Sequence, residues 1–279
     1  MINKNSAVTA LILIVMFVCP GIGQTVEVMS YNIKYDNVND TVNNWNDRKA
    51  AMVDLLKKRN PEFIGMQEVL HRQLMYLNES LPDYNFIGVG RDDGKEKGEF
   101  SPILYDSTKF RLLDSNTFWL SKTPDKISVG WDAAMERICS YGLFQNKSSK
   151  RKVWVFNTHF DHIGIKARKN SAKLILKKIK QLNRQKLPVI LMGDFNATTD
   201  NVAIKDLLKD GLLVDLCEEQ MKTFNFWKAD LVKGLRIDHI FVAPSLNKVE
   251  ARVAVASDPP ASDHHPVVMT IDFIMREKP

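Results

Sequence analysis

Apolar runs of strand length recur along this chain, and several of them end or begin in a cluster of carboxylate, amide or imidazole side chains. Ser30-Tyr31-Asn32 lies near the end of the run Thr25 to Lys34, and Gln67-Glu68 near the end of Glu62 to Val69. Asn157-Thr158-His159 ends the run from Lys152, and Gly193-Asp194-Phe195-Asn196 follows Leu187 to Met192. Arg236-Ile237-Asp238 opens the run to Val242, and Ser262-Asp263-His264 precedes Val267 to Ile274. A buried polar group left unpaired costs about 2–7 kcal/mol, and a buried charge more. Polar residues at so many strand ends must therefore be paired with one another or bound to a metal. Four further runs, Asn85 to Val89, Pro102 to Tyr105, Phe110 to Leu120 and Arg137 to Gln145, also read as strands. Helical spacing appears in Asp47 to Lys58, stopped by Pro61, around Leu74, Leu77 and Leu81, and most clearly from Gly164 to Gln185. Strands without regular βαβ alternation, with helices in the minority, predict stacked sheets covered by helices.

Of the 279 residues, 44% are hydrophobic and 26% charged, which excludes disordered and low-complexity classes. With no internal repeat and no linker, residues 24–279 read as one domain. Residues 1–23 read as a secretory signal peptide: Lys4, an apolar run from Ala10 to Val18, and Gly21-Ile22-Gly23 before cleavage. That run falls short of the ~20 residues a membrane-spanning helix needs. The expectation is export to the periplasm or beyond. Lipid attachment at Cys19 is less favoured, because Val18 is larger than the usual preceding residue. Cys139 and Cys217 remain after cleavage and read as buried apolar residues, with pairing left open. The formal charge of +6 invites a nucleic-acid reading. Yet Gly164 to Lys186 holds nine basic residues and no acid, so the rest of the chain is net acidic. A cationic helix with one apolar stripe reads first as a solvated outer face, and only second as a footprint for nucleic acid or an anionic membrane.

Each polar cluster alone has a plain structural reading. Glu68 reads as a capping or ion-paired residue, His159 as a satisfied core histidine, and Asp194-Phe195-Asn196 as a turn. His239 and His265 read as structural, because neighbours on a strand face opposite ways. Taken together and in order, the six clusters resemble the endonuclease/exonuclease/phosphatase superfamily over nearly the whole mature chain. The resemblance implies an α/β fold, a four-layer α/β sandwich of two mainly antiparallel stacked sheets flanked by helices. It also implies a phosphoesterase dependent on a divalent metal, Mg²⁺ or Mn²⁺. By the same resemblance Glu68 is the main metal ligand, with Asn32 close by and Asp263 assisting. Asp194 activates the attacking water, and Asn196 and His159 hold phosphate oxygens. His264, oriented by Asp238, stabilises developing charge or transfers a proton.

Outside those motifs, the Gly-rich charged loop Gly88 to Pro102 reads either as a solvated turn or as a pocket wall from which Arg91 reaches a phosphate. Arg137, on a strand, is either paired or substrate-facing. Phe224, Phe226 and Trp227 read as core packing or as an aromatic wall, with Trp227 a candidate substrate contact. The leading expectation is an exported, monomeric hydrolase of a phosphomonoester or phosphodiester. A secreted nuclease comes second: nucleic acid is a possible partner but not the favoured one. An inactive binding module on the same fold comes third, and the retained motif residues argue against it. Asp-Phe-Asn-Ala-Thr after Gly193 lacks the Tyr-Arg continuation of inositol polyphosphate 5-phosphatases. The chain has no His-Glu-x-x-His pattern of a zinc hydrolase.

Overall fold

The computed structural model describes residues 25–218, 221–227, 234–253 and 260–272. The proposed signal, Met1 to Gly23, lies outside the described residues. The first sheet contains β1 (Thr25–Asn32), β2 (Phe63–Gln67), β3 (Tyr84–Ile87), β4 (Ile103–Asp106), β11 (Asn247–Val253) and β12 (Val267–Asp272). The second contains β5 (Phe110–Trp119), β6 (Ile138–Asn146), β7 (Lys152–His159), β8 (Val189–Asp194), β9 (Val214–Asp215) and β10 (Asp238–Val242). Strand order is β11-β12-β1-β2-β4-β3 in one and β5-β6-β7-β8-β10-β9 in the other. Pairing is antiparallel except for β1 with β2 and β7 with β8. Helices α1 (Trp45–Arg59) and α2 (His71–Ser80) pack on the first sheet, α3 (Ile165–Leu182) and α4 (Val202–Leu208) on the second. This is the expected α/β sandwich.

The alternation of each strand assigns its residues to layers. On β1, Val26 and Val28 face the opposite sheet, while Met29 and Tyr31 face α1 and α2. On β7, Val153 and Val155 point inward, and Trp154 and Phe156 point outward toward α3. Ile190 and Met192 of β8 and Ile240 and Val242 of β10 join the same inner core. Continuing the period places Ser30, Asn32, Gln67, Asn157, His159, Asp194 and Asp238 on the inner face as well, all of them buried. The interior between the sheets thus changes from apolar to polar toward one end. Two amides mark the boundary: Gln67 Nε2 donates to Asn157 Oδ1 at 2.7 Å, and Asn157 Nδ2 donates to the Met66 and Pro102 carbonyls. These bonds tie the two sheets together across the layer where hydrophobic packing stops.

The predicted elements are present with ends moved by a few residues. Asn44 caps α1 by accepting from the Asp47 amide, and Asn60, at φ +50°, ends it before Pro61. On α3, Ala172, Ile175 and Ile179 are buried, whereas Lys173 and Lys180 are 57% exposed at the side chain. Lys173, Lys178 and Lys180 meet Asp206, Asp125 and Asp210, so acids from elsewhere partly offset this cationic face. Elements α4, β9 and β11 had no counterpart in the sequence reading. The first two are short, and β11 mixes Lys, Glu and Arg into an edge strand. Cys139 and Cys217 are both free thiols.

Candidate active site

The parallel pairs aim two strand ends of each sheet in the same direction. Asn32 sits opposite Gln67 and His159 opposite Asp194 in register, while antiparallel β10 sets Asp238 opposite Asp194. Gly193 lets β7 and β8 approach: a Cβ there would lie 2.1 Å from the Thr158 carbonyl oxygen, and its φ is +156°. Glu68 leaves β2 in the left-handed region, at φ +60°. A non-glycine residue there costs on the order of 1–3 kcal/mol and persists when its surroundings fix it. Asn32 does so by donating from Nδ2 to Glu68 Oε1 and to Asp194 Oδ2, each at 3.0 Å. The Tyr35 amide donates to Glu68 Oε2 at 3.2 Å. Lys34 Nζ lies 3.6 Å from Glu68 and 3.8 Å from Asp263.

These neighbours set the charge states. Burial pushes Glu68 toward its neutral form, but Lys34, the Asn32 amide and His264 outweigh it and hold the carboxyl below its ordinary range. Asp194 is pushed up to about 7, by burial first and then by the Asp238 carboxylate. The His264 ring Nδ1 lies 2.8 Å from Asp238 Oδ2, and its Nε2 lies 3.8 Å from Asp194 Oδ2. Burial alone would lower its pKa. The Asp238 charge and hydrogen bond, followed by Asp194, raise it to about 10, so this ring is an imidazolium at neutral pH. His159 is its opposite. Burial, then Arg137 and Arg91, hold it well below the ordinary value, so it is neutral. Asn196 Nδ2 donates to the Phe160 carbonyl, which fixes the amide, and it sits 3.1 Å from His159 Nε2. That network assigns Nε2 as the acceptor and leaves Nδ1–H facing Glu99 Oε2 at 3.8 Å.

The same groups line a cavity of about 430 Å³. Of the residues singled out in the sequence, Glu68, Arg91, His159, Asp194, Asn196, Asp263 and His264 face it. Asn32 and Asp238 stand behind them, buried. Trp227 does not line it. Its ring lies 5.5 Å from the Arg48 guanidinium, and Phe224 lines the cavity instead, 4.9 Å from the His264 ring. Trp227 thus covers Arg48 and stands outside the cavity lining. Arg48 donates to the carbonyls of Ile33, Lys34, Asn43 and Ala261 and so clamps the segments that carry Lys34 and Asp263. Lys34, Glu99 and Arg48 escaped the sequence reading. Lys34 and Glu99 gain their roles from turns, and Arg48 looks like an ordinary basic residue of a surface helix. The asparagine cap at Asn44 followed by Trp45 and Arg48 was the available signal. His239 points away from the site: it lies 2.8 Å from the Ala197 carbonyl and stacks on Phe241.

The donor set fits a hard cation. Donor atoms of Asp194, Asp238 and His264 lie within 4.8 Å of one another, and Asp238 Oδ1 is buried without a hydrogen-bond partner. His264 already engages Asp238, so Glu68 and Asp194, bridged by Asn32, offer the oxygens a divalent ion prefers. Burial first and the Asp238 carboxylate second raise the pKa of Asp194 against the opposing His264 charge and the Asn196 and Asn32 hydrogen bonds. The profile of the endonuclease/exonuclease/phosphatase family matches residues 29–264. The chain belongs to this family. Family members are hydrolases of phosphoester bonds and generally depend on a divalent metal. A family protein of Bacteroides thetaiotaomicron is 38% identical, with a TM-score of 0.86 over 90% of this chain and 96% of its own. The mannosyl-6-phosphatase of Bacteroides thetaiotaomicron is also 38% identical, with a TM-score of 0.82 over 89% of this chain and all of its own. An uncharacterised protein of Acanthamoeba polyphaga mimivirus is 29% identical over 221 residues, covering 72% of this chain and 81% of that one. Among the described residues of this family member, no helix is long and apolar enough to cross a membrane.

Proposed function

We propose that this chain hydrolyses a small phosphomonoester by in-line attack of water, with Mg²⁺ or Mn²⁺ held by Glu68 and Asp194 and steadied by Asn32 and Asp263. The observation that carries this reading is the pair of imidazoles beside Asp194 in opposite protonation states, His264 cationic at 3.8 Å and His159 neutral at 3.5 Å. When bound, the cation supplies Lewis-acid neutralisation of phosphoryl charge and lowers the pKa of a coordinated water. Asp194, held by the Asn32 side chain and the Asn196 amide and kept ionised by the cation, orients the water and takes its proton. His264 brings a fixed positive charge to the developing negative charge, and Asp238 fixes the orientation of its ring. Neutral His159 and the Asn196 side chain flank Asp194 and position non-bridging oxygens by exchanging their present partners, Glu99, the Phe160 carbonyl and each other. Phosphoryl transfer needs mainly such positioning and charge neutralisation.

A monoester is favoured over nucleic acid for two reasons. The lysine-rich face of α3 contributes no residue to the cavity, so a polyanion lying on it would not be led into the site. The relative that is a mannosyl-6-phosphatase matches this chain over 89% of its length. The reading also puts the enzyme outside the cytoplasm, on the strength of the leader-like segment Met1 to Gly23. The test assays the purified chain on p-nitrophenyl phosphate, bis-p-nitrophenyl phosphate, hexose 6-phosphates and single- and double-stranded DNA, with Mg²⁺, Mn²⁺ or EDTA. Metal-dependent release of phosphate from the monoesters is expected. Cleavage confined to DNA would replace this reading with the nuclease.

A further inference from the structure

The cavity has a second wall that the hydrolytic chemistry does not use. The loop between β3 and β4 folds back on itself: the Gly90 amide donates to the Lys95 carbonyl, Arg91 to Glu99, and Asp92 to Lys97. Asp93 caps the Lys95 and Lys97 amides, and a Cβ on Gly90 would lie 2.2 Å from the Lys97 carbonyl oxygen. Trp119 Nε1 pins the loop through the Arg91 carbonyl. This rigid platform presents one feature to the cavity, a bidentate pair in which Arg91 Nη1 and Nη2 donate to Glu99 Oε2 and Oε1 at 2.8 and 3.0 Å. Beside it, Arg137 is 5% exposed, lies 3.4 Å from Asp161 Oδ2 and 3.1 Å from His162 Nδ1, and leaves Nη1 buried with no hydrogen-bond partner.

The wall therefore carries four formal charges that cancel: Arg91 against Glu99, and Arg137 against Asp161. A phosphate or polyanion clamp would need net positive charge. Arg91, with its fork already engaged by Glu99, is not such a clamp. What the wall does offer is donors and acceptors side by side. Each Glu99 oxygen keeps a lone pair, and Arg137 and His162 supply N–H groups. Alternating donors and acceptors suit neighbouring hydroxyl groups, each of which donates and accepts. His159 separates the two sides, with Nε2 3.5 Å from Asp194 and Nδ1 3.8 Å from Glu99, so this wall begins one imidazole width from the reacting centre.

We infer that the Arg91–Glu99 pair, with Arg137 and His162, forms a subsite for the alcohol half of the phosphoester, and that this alcohol is a polyol or sugar bearing adjacent hydroxyls. The inference rests on the phosphomonoesterase reading above and adds the chemical class of the leaving group.

The test compares kcat/KM on n-propyl phosphate and p-nitrophenyl phosphate, which lack hydroxyls, with a hexose 6-phosphate and its methyl glycoside. The two sugar substrates separate a free sugar from a linked residue as the source, and preference for either supports the subsite. The wild-type chain should favour the hydroxylated substrates by about tenfold or more, because a site built to bond hydroxyls discriminates against analogues lacking them. Glu99→Gln and Arg91→Met should bring that ratio toward one, mainly through KM. Glu99 faces His159, so Arg91→Met is the decisive variant where Glu99→Gln slows every substrate. Equal activity of the wild-type chain on all four substrates, or an equal loss on all four in Arg91→Met, overturns the subsite while leaving the phosphatase intact. No hydrolysis of any of the four overturns both.

Discussion

In the proposed reaction Asp194 and His264 act through charge states that their surroundings impose, and both residues yield direct tests. Asp194→Asn and His264→Ala should each lower kcat by on the order of 10²- to 10⁴-fold, with circular dichroism unchanged. Near-wild-type turnover in either variant removes its assigned role. Both groups have raised pKa values in the folded chain, so the folded state holds protons that the unfolded chain releases. For Asp194 that stability is present below its unfolded value and is lost as pH rises through about 7. For His264 it is present below its unfolded value and is lost as pH rises through about 10. The metal-free chain should therefore melt at progressively lower temperature from pH 6 to pH 10, and His264→Gln should flatten the upper half of that decline. Mg²⁺ competes with the proton on Asp194, so it should raise the melting temperature more at pH 8 than at pH 5.5. An equal rise at both would place the ion away from Asp194. Asp194 and His264 were legible in the sequence because each stands in a distinctive cluster beside an apolar run. Their charge states were not, because burial and the Asp238 carboxylate become neighbours only after folding.

Among the elements, α1 contributes more than a hydrophobic face. Its Arg48 reaches through the helix-facing layer to carbonyls on both sides of the site, between the rings of Trp45 and Trp227. Arg48→Met leaves several buried carbonyls without donors, which should cost at least about 2 kcal/mol. It should also raise the Mg²⁺ concentration needed for half-maximal activity, as Lys34 and Asp263 loosen around Glu68. Calorimetric unfolding and a metal titration together check this, and an unchanged titration would confine Arg48 to stability. Strands were the readable elements, since a period of two survives in any strand with one face on the core. The loop Gly88 to Pro102 was ambiguous for the opposite reason. Its order comes from backbone bonds and glycine contacts, which leave no periodic trace, and its glycines and charges suit a solvated turn equally well. The contact of Trp227 with Arg48 was not legible, because an aromatic residue near a motif has no sequence mark for which cation or ring it will cover.

For the molecule as a whole, the separation of the α3 surface from the cavity makes a clear expectation. Neutralising Lys173, Lys177 and Lys178 together should leave turnover of a small phosphoester within about twofold, surface charges being screened over ~10 Å at 0.1 M salt. A large loss on such a substrate would mean that α3 takes part in the reaction. The overall sandwich was legible because six polar clusters in a familiar order carry the fold with them. The depth of the polar end was not, since it depends on Gln67 and Asn157 meeting across the two sheets. One consequence lies in the pairing of β1 with β12, which makes the earliest described strand and the last one neighbours. Asn32 is synthesised well before Asp238 and His264. A growing chain can therefore have made the floor of the cavity but not its far side. The proposed reaction chamber is complete only once β12 has docked beside β1.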